Sequence, residues 1–148
     1  MEKTFSSYIN YLQRDFLEYT KNELKKVNLS YGQLPFILYI GKHPECKQSE
    51  LTEKLHLDWG YSQRSIVKLC NEGFIKKTAK NNDNRISYLS LTETGEKAFT
   101  ISHDVFFDWD NTNLASLSPE EKATLMTILH KIIEAKNPNY PKRSEPKE

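Results

Sequence analysis

A mainly α chain with a small β-hairpin wing is the fold class this sequence predicts, a winged helix-turn-helix between long N- and C-terminal helices. Three observations predict it. Apolar residues recur at three- and four-residue steps through most of the 148 residues, as amphipathic helices require. Two short helical stretches, 47–56 and 59–72, are joined by little more than Leu57 and Asp58, the spacing of a helix-turn-helix. After Gly73 the apolar period shortens to two, over 74–80 and 85–91, around the turn-forming run Asn81, Asn82, Asp83 and Asn84. A hairpin placed directly after a helix-turn-helix is a wing.

The elements follow in order. Phe5, Tyr8, Ile9, Leu12, Phe16 and Tyr19 place one apolar stripe along residues 5–27, with Arg14, Glu18 and Lys21 opposite. Ser30-x-x-Gln33 is a capping-box pattern that opens a second helix reaching about Lys42. Pro35 lies near its start, where a missing N–H costs least, and Pro44 ends it. Over 47–56, Leu51 and Leu55 face inward. Asp58 is placed to cap the helix 59–72, whose Ile66 and Leu69 face inward and which Gly73 stops. Thr92 opens a fifth helix, with Ala98, Ile101, Val105 and Trp109 spaced for one buried stripe. Ser118, Pro119, Glu120 and Glu121 make a strong start for a last helix, whose apolar face is Leu125, Ile128, Leu129, Ile132 and Ile133. Pro138 ends that helix, and 138–148 reads as a flexible tail after a single 1–137 body.

Composition narrows the function. With 37% hydrophobic residues and Phe 7, Tyr 8 and Trp 2, the chain can build a real core. No stretch approaches the roughly 18–20 apolar residues of a membrane span, and the N-terminus shows no secretory h-region. Two cysteines, Cys46 and Cys70, without C-x-x-C spacing suit a reducing, cytoplasmic compartment. There is no G-x-S-x-G, P-loop, H-E-x-x-H or Gly-rich dinucleotide loop, so an enzyme is not expected. His43, His56, His103 and His130 lack i, i+4 pairing, so neither metal nor cofactor is expected.

The segment 48–95 runs Gln48-Ser49-Glu50-Leu51, Leu57-Asp58, Leu69, Gly73, Asp83-x-Arg85 and Leu91-Thr92-x-x-Gly95. In that order and spacing the chain, over 5–136, resembles the MarR (multiple antibiotic resistance regulator) family of winged-helix transcription factors. The resemblance implies a homodimer whose first and last helices, 5–29 and 96–137, interlock around a DNA-binding region at 30–95. It implies a sequence-specific, double-stranded DNA-binding regulator, more a repressor than an activator, on a pseudo-palindromic operator. The sequence departs from the family at three positions: Lys47 stands where Ser or Thr is usual, Gly60 where Ser is common, and Ser62 where an apolar residue is common.

With Ile66 and Leu69 inward, Tyr61, Arg64 and Lys68 fall on the opposite side of their helix and Gln63 on the flank. Arg64 suits guanine O6/N7 and Gln63 suits adenine N6/N7 in a major groove. Tyr61, one residue past Gly60, suits a phosphate or a thymine methyl, and Lys68 a phosphate. Residues 61–90 hold six Lys and Arg against two acids, a local +4 in a chain of net +1. The resemblance implies that the wing arginine, here Arg85, enters a minor groove and that Asp83 braces it. Gln48 and Ser49 open the first helix of the motif, where N–H groups meet phosphate.

The family's sensing site falls between its dimerisation helices and winged region. Here Tyr8, Tyr11, Leu12, Phe16, Phe36, Tyr39, Phe99, Phe106 and Trp109 would line it, an aromatic-rich crevice for a small aromatic or lipophilic effector. The alternative for those aromatics is plain core and interface. For the whole chain it is a winged-helix protein-interaction module without specific DNA binding, against which Arg64, Lys68 and Arg85 argue.

Overall fold

Helix α1 (Phe5–Lys25) starts at Thr4, whose hydroxyl accepts from the Ser7 N–H. It opens the computed structural model, which describes residues 3–141. The helix ends two residues earlier than its apolar period suggests, because the chain unwinds through a turn to Asn28 in the left-handed region. Thr20 and Leu24 are buried, whereas Phe5, Tyr8, Ile9 and Leu12 in its first half stay exposed.

The expected second helix divides in two. Residues Tyr31–Gln33 form a 3-10 turn and α2 runs Leu34–Lys42. Pro35 is the cause: it has no N–H to give the Tyr31 carbonyl, so the Leu34 N–H takes it three residues on. Gln33 reaches back to accept from the Ser30 N–H at 2.9 Å, as the capping pattern implies. Next, α3 (Gln48–Lys54) is shorter than 47–56, with Leu51 buried and Leu55 half-buried. Lys47 cannot cap as Ser would; Glu50 instead accepts from the Lys47 N–H at 3.2 Å.

Helix α4 (Trp59–Asn71) ends where Gly73 adopts φ +83°. The Gly73 N–H reaches the Cys70 carbonyl and the Phe74 N–H the Leu69 carbonyl, the paired bonds of a Schellman stop. A three-stranded antiparallel sheet follows the order β1-β3-β2, with β1 (Cys46–Lys47), β2 (Ile75–Lys80) and β3 (Asp83–Leu91). One element is unannounced by the sequence and one expectation is corrected here. Cys46 belongs to a strand, paired with Leu89 on β3. The hairpin turn is two residues, Asn81 and Asn82, both at positive φ, because asparagine tolerates the mirror-image turn that matches strand twist.

Helix α5 (Glu93–Asn113) begins after Thr92, whose hydroxyl accepts from the Gly95 N–H and donates to the Gly73 carbonyl. Gly95 is required there: a Cβ would overlap the Phe74 carbonyl oxygen. Ala98, Ser102 and Val105 are buried, while Ile101 and Trp109 are only half-buried. The core gathers Leu24, Leu34, Phe36, Ile37, Ile40, Leu51, Ile66, Leu69, Phe74, Leu89 and Ala98. Each such large side chain contributes about 1.5–3 kcal/mol by leaving water.

Residues through Trp109 form one unit and those from Asp110 a second. In the second, α6 (Pro119–Lys136) is capped by Ser118, whose hydroxyl accepts from the Glu121 N–H. No residue of α6 is buried, and Met126, Ile128, Ile132 and Ile133 are exposed. Of the expected tail, 138–141 continues past the helix; 142–148 lies outside the described residues. Among the described residues no helix is long and apolar enough to cross a membrane.

Candidate nucleic-acid interface

The orientation of α4 decides which of its side chains can meet a ligand. The Asp58 carboxylate caps it, accepting from the Tyr61 N–H at 3.0 Å. Ser62, Ile66 and Leu69 are buried, which fixes the inward face. A hydroxyl pair seats it on α3: Thr52 Oγ1 lies 2.7 Å from Ser62 Oγ and donates to the Gln48 carbonyl at 2.9 Å. The single Thr52 hydroxyl hydrogen is thereby committed, so Ser62 is the donor between the two. This pair fills the position where an apolar side chain would otherwise pack.

Opposite that face, Gln63, Arg64 and Lys68 are exposed, as their spacing predicts, and Gly60 is half-exposed. Lys68 stands 3.8 Å from Glu72, a loose pair at the helix end. Tyr61 leans away from this outer face. Its ring packs 6.3 Å from Phe36, and its hydroxyl stands next to Gly32. Among the candidates at the start of α3, Ser49 is exposed, whereas the Gln48 side chain is only 5% exposed and is held within the fold.

On the wing, Arg85 projects with 90% of its side chain in solvent. Asp83 braces it three ways: Oδ1 accepts from the Arg85 N–H at 2.9 Å and from Nε at 3.0 Å, and Oδ2 from Nη2 at 3.3 Å. These bonds hold the Asp83 carboxyl below the usual carboxylate range. Lys80 is turned elsewhere, 3.1 Å from Glu45 and 4.5 Å above the Tyr88 ring. With Lys68 and Arg85 each beside an acid as well, the local positive excess is carried by Arg64, Lys76 and Lys77.

Between α4 and the wing lies a groove of about 400 Å³, lined by Lys47, Gln48, Ser49, Trp59, Gln63, Lys77, Arg85, Ile86 and Ser87. It brings together four predicted residues, Gln48, Ser49, Gln63 and Arg85. Three of its lining residues are cations and none is an acid. Sequence reasoning missed Lys47, Trp59, Lys77, Ile86 and Ser87. Trp59 carried a usable signal, since it stands four residues before Gln63 and shares its flank.

The aromatic set divides. Phe16, Phe106 and Trp109 cluster with ring centroids 5.3 Å apart, and the Trp109 indole N–H donates to Asp15 at 2.9 Å. Phe36 is buried in the core and Tyr39 stacks on His43 at 4.5 Å. Phe99 packs against Gly41, where a Cβ would overlap its ring. Tyr8, Tyr11 and Leu12 remain exposed on α1. Burial, with Glu50 adding to it, pushes the Cys46 thiol up to about 11, and burial also raises that of Cys70. Among the described residues no group of three His, Cys, Asp or Glu gathers as a metal site.

Comparison with known proteins adds four findings. Residues 18–100 match the family described as Transcriptional regulator SarA/Rot. The HTH-type transcriptional regulator BilQ of Clostridium symbiosum is 43% identical over 132 residues, 89% of this chain and 92% of that protein. Among solved structures, Streptococcus pneumoniae FabT in complex with DNA aligns with TM-score 0.76 at 21% identity, over 89% of this chain and 96% of that one. Staphylococcus aureus MarR in complex with salicylate and kanamycin aligns with the same score and identity, over 92% and 91%.

Proposed function

We propose that this chain, which belongs to the SarA/Rot family of transcriptional regulators, works as a homodimeric repressor in the cytoplasm. It is a DNA-binding transcriptional regulator of winged-helix fold; the dimer, the repression and the release signal are our reading. The groove between α4 and the wing carries it, with three cations and no acid between two exposed reading elements. In this reading Gln63 and Arg64 on α4 meet base edges in a major groove. Arg85 enters the neighbouring minor groove, held in shape by Asp83. Lys68 and Ser49 add phosphate contacts that give affinity without sequence information.

Exposed apolar stripes support a dimer. On α1, Phe5 is 57% exposed and Tyr8 55%, and on α6 Ile128 is 52% exposed. A second copy covering these faces would remove them from water and place two recognition helices about 34 Å apart, one DNA turn. The operator is then a pseudo-palindrome. The release signal is a small aromatic or lipophilic effector, a reading supported by the cluster of Phe16, Phe106 and Trp109.

The test is selection of a random duplex pool on the purified protein, then binding of the winner across a salt series. An enriched palindrome bound by two chains, with a steep salt slope and weakened binding when salicylate is added as a probe, is the expected result. A folded protein that enriches nothing refutes the regulator reading. Enrichment of a single, non-repeated site by one chain refutes the dimer.

A further inference from the structure

The indole of Trp59 is the largest side chain lining the groove, and nothing in the fold accounts for its exposure. It occupies the first turn of α4, which Asp58 already caps, and it is 52% exposed. Ile86 faces the same groove from the wing and is 37% exposed. These two side chains leave apolar surface open to water on both sides of a cationic channel.

We propose that Trp59 and Ile86 form an apolar wall against which one sugar–phosphate strand packs its deoxyribose faces, while Lys47 and Lys77 take its phosphates and leave Arg85 to the minor groove. This rests on the DNA-binding reading above and deepens it. The two grooves of duplex DNA are separated by a single sugar–phosphate strand. A protein with α4 in one groove and its wing in the next must straddle that strand, and the space between α4 and the wing is this groove. Its volume of about 400 Å³ is that of a cleft rather than a flat surface. Its chemistry is two-sided, as that of the strand is. Phosphate oxygens call for cations, and the C–H faces of deoxyribose call for apolar surface. The lining holds cations, two hydroxyls from Ser49 and Ser87, and the two apolar side chains, with no carboxylate to repel phosphate. Trp59 shares its flank of α4 with Gln63, so base reading and strand packing fall on adjacent turns.

The experiment compares wild type, Trp59→Ala, Trp59→Phe, Ile86→Ala and Lys77→Gln on the selected duplex across a salt series, and on the same duplex with every thymine replaced by deoxyuridine. Trp59→Ala is expected to weaken binding roughly ten-fold or more. Its salt slope should stay that of wild type, because no charge is removed. Trp59→Phe should recover part of the loss, and Ile86→Ala should show a smaller loss of the same kind. Lys77→Gln should instead lower the slope by about one unit per subunit. Unchanged melting temperatures establish that the variants fold, and Ile86→Ala carries the test if Trp59→Ala does not.

Three results overturn the wall. Trp59→Ala and Ile86→Ala bind as wild type does. Or their loss comes with a shallower salt slope, which makes them supports for the phosphate contacts. Or the loss vanishes on the deoxyuridine duplex, which makes Trp59 a reader of thymine methyls. A wild type that binds no duplex refutes the DNA reading itself and is distinguished from all three.

Discussion

Replacing Thr52 by valine keeps the shape of the side chain and removes one oxygen from the contact between α3 and α4. In the native chain that oxygen accepts from Ser62, 2.7 Å away, and donates to the Gln48 carbonyl, with Ser62 0% exposed and Thr52 7%. The variant leaves the Ser62 hydroxyl buried without its acceptor, at a cost of about 1–3 kcal/mol. The lower end applies if Ser62 turns its hydrogen back to a carbonyl of its own helix. Ser62→Ala alone is cheaper, about 0.5–1.5 kcal/mol, because Thr52 keeps its bond to Gln48. The double variant replaces both partners with apolar groups and should cost less than the two single changes together. For a chain of this length each kcal/mol moves the melting temperature by about 2–4 °C. The assay is thermal and urea unfolding of the four proteins at one fixed protomer concentration, since a dimer's stability depends on it. A Thr52→Val stability within about 0.3 kcal/mol of wild type, or a double variant equal to the sum of the singles, would refute the buried pair.

Three further predictions follow. Arg85→Ala should weaken binding to the selected duplex by about 1–3 kcal/mol, mostly at A·T-rich flanks, and Asp83→Asn by a smaller part of that; anisotropy titration that finds Arg85→Ala equal to wild type contradicts the minor-groove role. Gly73→Ala meets open space but must hold φ +83°, so urea unfolding should show a loss of about 1–2 kcal/mol with the fold retained. Cys46, whose thiol loses its proton only at about 11 against the ordinary 9.0, should be alkylated slowly at pH 8 in the folded chain and fast in urea. The sign for stability follows: the unfolded thiol ionises first, so this contribution is present below about pH 9 and is lost as pH rises towards 11. Equal alkylation rates in the folded and unfolded chain would contradict the burial.

Much of the helical frame was legible because caps and period agree. Asp58, Ser118 and Gly73 each mark a boundary by side-chain or backbone chemistry that operates within one turn. Strand β1 was not legible, since two residues carry no period and pair only with β3, far along the chain. The hairpin was placed but its turn overestimated, because Asp83 favours turns yet pairs with Lys80 across the ladder, and Asn84 continues β3. At the site, exposure of Gln63 and Arg64 followed from periodicity, whereas Arg85 was picked out by the family resemblance of the wing. For Phe36 periodicity did not decide: an apolar residue on a helix gives the same signal whether it meets core or crevice. The Ser62–Thr52 bond lay hidden for a related reason, since neither hydroxyl announces a partner on another helix.

Strand β3 stands in the middle of the sheet, bonded on one edge to the residues that lead into α3 and on the other to the strand that follows α4. With the Thr52–Ser62 bond between α3 and α4, this closes a ring of contacts through both helices and the wing. On the proposed reading, the wing and α4 then act as the two jaws of a caliper locked at one opening. On that account a half-site is measured as well as read: inserting one base pair between the major-groove determinants and the A·T flank should abolish the gain from the flank even though every preferred base is still present.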